Sequence, residues 1–184
     1  PLARRIMKGV RILIIIGILS APFAVQIMFA HLASHVGQEG ILRAANTAQR
    51  MEVWNGIADK IFDRPLLGHG YDAARYMGTY KTDEIYQKSN TILHPHNLAL
   101  QLWLEFGAIG ALWGAAVLAT MLRRIESIDI PPLRRLGTIM FASTLGLALI
   151  SWGMWQTWWM VLIFMLIALF RLVQFAHLRP ANNP

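Results

Sequence analysis

Apolar residues in this chain come in long unbroken runs, not in the short alternations of a water-soluble fold. Ile12 to Ala30 is a run of 19 residues without charge, enough for a helix across a hydrocarbon layer of roughly 30 Å. Pro22 falls inside it and predicts a kink. A second run, from about Asn97 to Leu122, has Glu105 as its only charge. Thr138 to Trp152 makes a short third run, Gly153 to Trp159 a tryptophan-rich turn, and Met160 to Phe170 leads a fourth. Between the first and second runs the pattern changes. Met51, Trp54, Ala58 and Ile61 recur there at helical spacing and predict an amphipathic helix over about 41–62. Arg64-Pro65 ends it, because a residue before proline avoids the α region. Gly68-His69-Gly70 then permits a tight turn, and short helices are expected through Tyr86.

These elements predict an all-α polytopic membrane protein with four transmembrane helices and a partly helical loop. Residues 1–30 hold a basic end and the first span, 31–95 the large loop, and 96–122 the second span. Residues 123–136 connect to the third and fourth spans in 137–176, and 177–184 form a tail.

Charge gives this arrangement an orientation. Arg4, Arg5, Lys8 and Arg11 precede the first span; Arg123, Arg124, Arg134 and Arg135 lie between the second and third; Arg171 and Arg179 follow the fourth. By the positive-inside tendency these ends are cytoplasmic and the 31–95 loop lies on the far side. Within the loop seven bases balance seven acids.

The chain has 184 residues, 55% of them hydrophobic and 15% charged, with a mean hydropathy of +0.43, so a lipid bilayer is its expected environment. Its net charge of +7 does not indicate nucleic acid, since the bases gather at the ends of apolar runs and form no solvated stripe with interleaved aromatics. Cysteine is absent, which removes disulfides and thiolate metal sites. The first apolar run is too long for a signal peptide and lacks a small-residue cleavage site. Because the chain begins at Pro1, a fragment of a longer protein is expected.

The candidate chemistry sits where the loop meets the second span, at His94-Pro95-His96-Asn97. Proline suits the first turn of a helix, which predicts His94 just outside the helix and His96 just inside it. A helix start offers free N–H groups and the positive end of its dipole to an anion such as phosphate, with an imidazole beside it for proton transfer. Glu105 lies nine residues further on, about 13 Å along a straight helix, and a carboxylate at such depth is costly enough to suggest a function. Arg50 four residues before Trp54 is either a cation–π pair on one helix face or a phosphate-gripping guanidinium; Arg64 and Arg75 are further candidates. Gly107 and Gly110 read as packing residues, and Gly110-x-x-x-Gly114 as a face that another helix approaches closely. His94-x-His96 can also bind zinc, although a third ligand is lacking unless His69 or a loop carboxylate supplies it. That alternative is a metal-dependent membrane hydrolase. A non-catalytic spanning module or flippase-like transporter is the other, but it would need polar residues through several spans, and Glu105 is the one well inside a span.

Three local patterns resemble the O-antigen ligase and polymerase superfamily. Arg50-Met-Glu-Val-Trp54 is similar to the family's Arg-x-x-x-Trp, Arg64-Pro-Leu-Leu-Gly68-His-Gly70 to its Pro-Leu-Leu-Gly-x-Gly turn, and His96-Asn97 followed by Gly107-x-x-Gly110 to its ligase signature. The resemblance covers residues 50–110 and implies a GT-C-like glycosyltransferase of the bacterial inner membrane, active on the periplasmic face. Its donor would be an undecaprenyl-diphosphate-linked glycan, and its acceptor a lipid A core sugar or another lipid-linked glycan. No cofactor or metal is implied. His96 and Arg50 would be the catalytic residues, with His94, Asn97, Arg64, Trp54, Glu105 and Arg75 binding substrate. The family has many more spans than four, so this chain would be its C-terminal part.

Overall fold

The computed structural model describes residues 2–43, 45–76, 95–150 and 153–178, with the backbone alone for 2–4, 32–33, 35–43, 45–52 and 178. Every regular element among the described residues is a helix: α1 (Leu2–Arg43), α2 (Ala45–Asp63), α3 (Ala73–Tyr76), α4 (Leu98–Glu126), α5 (Pro131–Ile150) and α6 (Thr157–Leu178). Four stretches are long and apolar enough to cross a membrane: Arg5–His31, Leu98–Glu126, Pro131–Ile150 and Thr157–His177. The protein is an all-α polytopic membrane protein, as the hydrophobic runs predict.

The first helix does not stop where its apolar run does but continues to Arg43. The chain then reverses, and α2 packs back along α1. Phe62 near the end of α2 meets Phe23 of α1 edge-on, with ring centroids 5.1 Å apart, and the Gln26 amide donates to the Asp59 carboxylate at 2.9 Å. Val53, Ile57, Ala58 and Ile61 form the buried face of α2. They join Ile18 and Val25 of α1 and Ala99, Leu100, Trp103 and Leu104 of α4 in one core.

Pro22 sits inside α1. Proline has no N–H, so the Ile18 carbonyl four residues earlier loses its helical partner. In hydrocarbon an unpaired carbonyl costs several kcal/mol. Here the Trp103 indole N–H donates to the Ile18 oxygen at 2.8 Å, and Phe23 packs edge-on against the same indole. A defect in the first span is thereby satisfied by a side chain of α4.

At the opposite end, Arg11 pairs with Glu126, bringing the start of α1 to the end of α4. Pro131 and Pro132 open α5, where missing N–H groups cost nothing. Gly137 of α5 is flanked by Phe170 of α6 and Ile125 of α4; a Cβ there would lie 3.0 Å from the Phe170 ring and 3.2 Å from Ile125. The described basic clusters that flank the apolar runs therefore gather at one end of the bundle.

Trp103→Phe keeps an aromatic ring against Phe23 but leaves the Ile18 carbonyl unpaired. It should lower unfolding stability in detergent micelles by about 1–3 kcal/mol; an unchanged melting midpoint would show that the carbonyl finds another donor.

Candidate active site

The second and third sequence patterns meet at an interruption in α4, and the first joins the chain just ahead of that helix. Gly107 has φ 62° and ψ −157°, a conformation that side chains on L-residues avoid. The helix breaks there and turns sharply. Leu102 and Gly114 would stand about 18 Å apart along a straight helix, yet a Cβ on Gly114 would come within 2.5 Å of the Leu102 side chain, and one on Gly110 would lie 3.2 Å from the Leu102 carbonyl oxygen. The helix that approaches the Gly110-x-x-x-Gly114 face is thus the first half of α4 itself. Gly107 is more than a packing residue.

A break at this depth strands backbone groups, and the turn after α2 pairs them. His69 N–H donates to the Leu104 carbonyl at 2.8 Å and Gly70 N–H to the Glu105 carbonyl at 2.9 Å; Ala108 N–H donates to the Pro65 carbonyl at 2.8 Å and Ile109 N–H to that of Leu66 at 3.4 Å. In an unbroken helix Leu104 would have paired with Ala108, and Glu105 with Ile109. Each lost partner is replaced by one from residues 65–70. Approach this close requires glycine on both sides. A Cβ on Gly68 would lie 2.5 Å from the Glu105 carbonyl carbon, and one on Gly107 would overlap the Leu66 carbonyl. Gly68 also has a left-handed φ of 69°. His69 fixes the turn from the other side through its ring Nε2, 2.8 Å from the Lys60 carbonyl oxygen.

The first pattern joins the third through Trp54, whose indole N–H donates to the Pro95 carbonyl at 2.7 Å. Arg50 lies in α2 one turn before Trp54, so its backbone is on the helical face that meets the 95–97 segment; its side chain lies outside the described residues. His94 is outside them altogether. His96 is half-buried with a φ of 53°.

The helix start differs from expectation. Pro95 and His96 both precede the helix, and Asn97 is the N-cap: its side-chain oxygen accepts from Leu100 N–H at 3.1 Å. An asparagine that satisfies an otherwise free N–H outcompetes proline in setting the first turn. His96 is therefore held in the approach to the helix, not inside it.

Glu105 is fully buried, and its partners belong to this chain. Gln101, one turn earlier, donates to one carboxylate oxygen at 2.8 Å, and the Trp155 indole to the other at 2.6 Å. The Gln101 side-chain oxygen in turn accepts from Met154 N–H at 2.9 Å. Asp72 lies beside this carboxylate, holds a left-handed φ of 54°, and pairs with Arg75 at 2.7 Å. Tyr71 packs at a tilt against Trp155, with centroids 4.7 Å apart and planes inclined at 55°. The tryptophan-rich turn between α5 and α6 is thus tied to the half-helix that follows His96. Arg64 is exposed at the start of the 65–70 turn. Among the described residues no three His, Asp or Glu side chains are grouped to hold a metal.

Gln101, Trp103 and Trp155 did not figure among the sequence candidates. Two of them had a signal: Gln101 stands four residues before Glu105, and Pro22 announces an orphan carbonyl that needs a donor. Nothing local marked Trp155.

Residues 2–113 match the O-antigen ligase family, and the chain belongs to it. Among curated relatives, a Rickettsia typhi protein is 28% identical over 177 residues, which is 94% of this chain and 44% of that protein. A Rickettsia prowazekii protein is 30% identical over 132 residues, 70% of this chain and 33% of that protein. The names of both give polysaccharide ligase as an inferred activity. The chain spans less than half the length of either. No solved structure matches the chain significantly.

Gly68→Ala and Gly107→Ala should each destabilise the protein by on the order of 3 kcal/mol or more, since strain at positive φ adds to a backbone clash. Gly146→Ala, on α5 with open space around it, should be neutral or slightly stabilising. Melting midpoints and limited proteolysis of the 64–76 segment in detergent would test this contrast. Equal behaviour of the three variants would refute the reading of the seam.

Proposed function

We propose that this chain is part of a membrane glycosyltransferase that moves a glycan from undecaprenyl diphosphate to an acceptor sugar hydroxyl on the periplasmic face of the inner membrane. One observation supports the reading: the hydrogen bond from the Trp54 indole to the Pro95 carbonyl joins α2, one turn beyond Arg50, to the segment that bears His96. The acceptor is a lipid A core sugar or a second lipid-linked glycan.

In this reading His96 takes the proton of the acceptor hydroxyl as its oxygen attacks the anomeric carbon. The bond from that carbon to the diphosphate breaks, and undecaprenyl diphosphate departs with the electron pair. No imidazole removes an alcohol proton outright at neutral pH, so the proton moves as the new bond forms, a contribution of about 10²–10⁴-fold. The leaving group is already an anion in the making and needs charge neutralisation more than an acid. Arg50 supplies it, because a guanidinium grips two phosphate oxygens at once and stays charged. His94 and Arg64 contact the donor or acceptor. Asn97 and Trp54 fix the approach of His96, the first by capping α4 and the second by holding Pro95. Glu105 acts from within the protein, since both of its oxygens are engaged there, and Arg75 is shared with Asp72.

His96→Ala should leave the full-length protein inserted and able to bind lipid-linked donor while lowering glycan transfer by about 10²-fold or more. Near wild-type transfer would refute the assignment. Arg50→Lys should also impair turnover, as a point charge cannot replace the fork; an equal rate would move the role to another base. Transfer that persists in EDTA separates this mechanism from a His-x-His metal hydrolase, whose activity would be lost.

A further inference from the structure

At the basic end of the bundle, away from the site above, a cavity of about 400 Å³ opens between the end of α4, the α4–α5 turn and the last third of α6. Arg124 and Arg171 face it from two different helices, and Asp129 lines it from the turn. Among the described residues neither arginine is in an ion pair. The rest of the wall mixes apolar side chains, Ile128 and Phe170 among them, with Ser127 and Gln174.

The rim is fixed before anything binds. Ser127 donates through its hydroxyl to the Arg124 carbonyl at 2.8 Å, Arg134 donates to the Ile128 carbonyl at 3.2 Å, and Arg171 is steadied by the Gln174 side-chain oxygen at 3.0 Å. Each guanidinium keeps N–H donors for a further acceptor, as it has five. The cavity also lies at a telling depth. It sits where the apolar stretches of α4 and α6 give way to charge and where α5 begins, the level at which phospholipid headgroups meet water.

We propose that this cavity binds the headgroup of an anionic phospholipid, with the phosphodiester between Arg124 and Arg171 and the first carbons of the acyl-glycerol against Ile128 and Phe170. Basic pockets between spanning helices recognise lipid phosphates in this way. Asp129 narrows the choice of headgroup. Its carboxylate repels a dianionic phosphomonoester but accepts hydrogen bonds from headgroup hydroxyls, so two cations and one anion match phosphatidylglycerol. The Ile128 and Phe170 side gives a soluble phosphate no comparable hold.

The test uses the full chain, exchanged from mixed micelles containing phosphatidylglycerol and phosphatidylcholine, with retained lipid read by native mass spectrometry. One phosphatidylglycerol should be retained per chain in preference to phosphatidylcholine. The double variant Arg124→Gln, Arg171→Gln should reduce that retention about tenfold or more. A control that removes equal charge elsewhere at the same end, Arg5→Gln with Lys8→Gln, should leave it within about twofold. Melting in phosphatidylcholine alone checks that the variants fold, and both arginines are exposed enough for substitution to be tolerated. Retention unchanged in the arginine double variant overturns the proposal, and so does an equal loss in the control, which would indicate diffuse charge attraction. Equally effective competition by inorganic phosphate or glycerophosphoglycerol would assign the cavity to a free anion and overturn the lipid.

Discussion

The structure depends on a reciprocal exchange of backbone hydrogen bonds across a broken helix. When α4 parts at Gly107, two carbonyls lose their donors and two N–H groups lose their acceptors, in surroundings where water is not at hand to replace them. The Pro65–Gly70 segment supplies two donors and two acceptors in matching order. It can come close enough only because Gly68 and Gly107 present no side chains to each other's backbone. From this seam the other contacts follow. The first half of α4 is free to leave the axis of the second, which lets Leu102 settle on the Gly110 and Gly114 face and puts Trp103 within reach of the carbonyl that Pro22 orphans in α1.

A second layer of polar contacts couples this arrangement to the last two spans. Glu105 stands just ahead of the break and is held by Gln101 from its own helix and by Trp155 from the α5–α6 turn. A buried carboxylate costs a great deal unless its oxygens are engaged, and both are. The consequence is mechanical. The half-helix after His96 is clamped between α1 and α2 on one side and the α5–α6 turn on the other, and the reaction proposed for His96 depends on such fixed placement.

Much of this could be read in the sequence, but unevenly. The four apolar runs and the sidedness of the arginines report properties summed over about twenty residues, and they predicted the fold class and the grouping of basic ends. The three motifs identified the family because they are local strings. The break escaped prediction for the opposite reason. A glycine followed by Ala-Ile-Gly within a hydrophobic stretch looks the same whether a helix runs straight through or parts, and the decision rests with a partner some forty residues away. The start of α4 was misplaced because proline and asparagine both favour helix starts; the hydrogen bond from Leu100 to Asn97 decides between them. Glu105 was visible as an anomaly, yet its partner Trp155 lies 50 positions downstream among aromatics that read equally well as an interfacial belt.

The seam has one more property. It is made entirely by main-chain atoms, so the side chains of Leu66 and Leu67 take no part in it and stand 68% and 74% exposed. Two large apolar groups are thus displayed on a rigid base whose integrity is indifferent to their identity. The Leu-Leu pair of this turn is therefore not spent on holding the fold, and both side chains are left to meet whatever lies against this face of the protein.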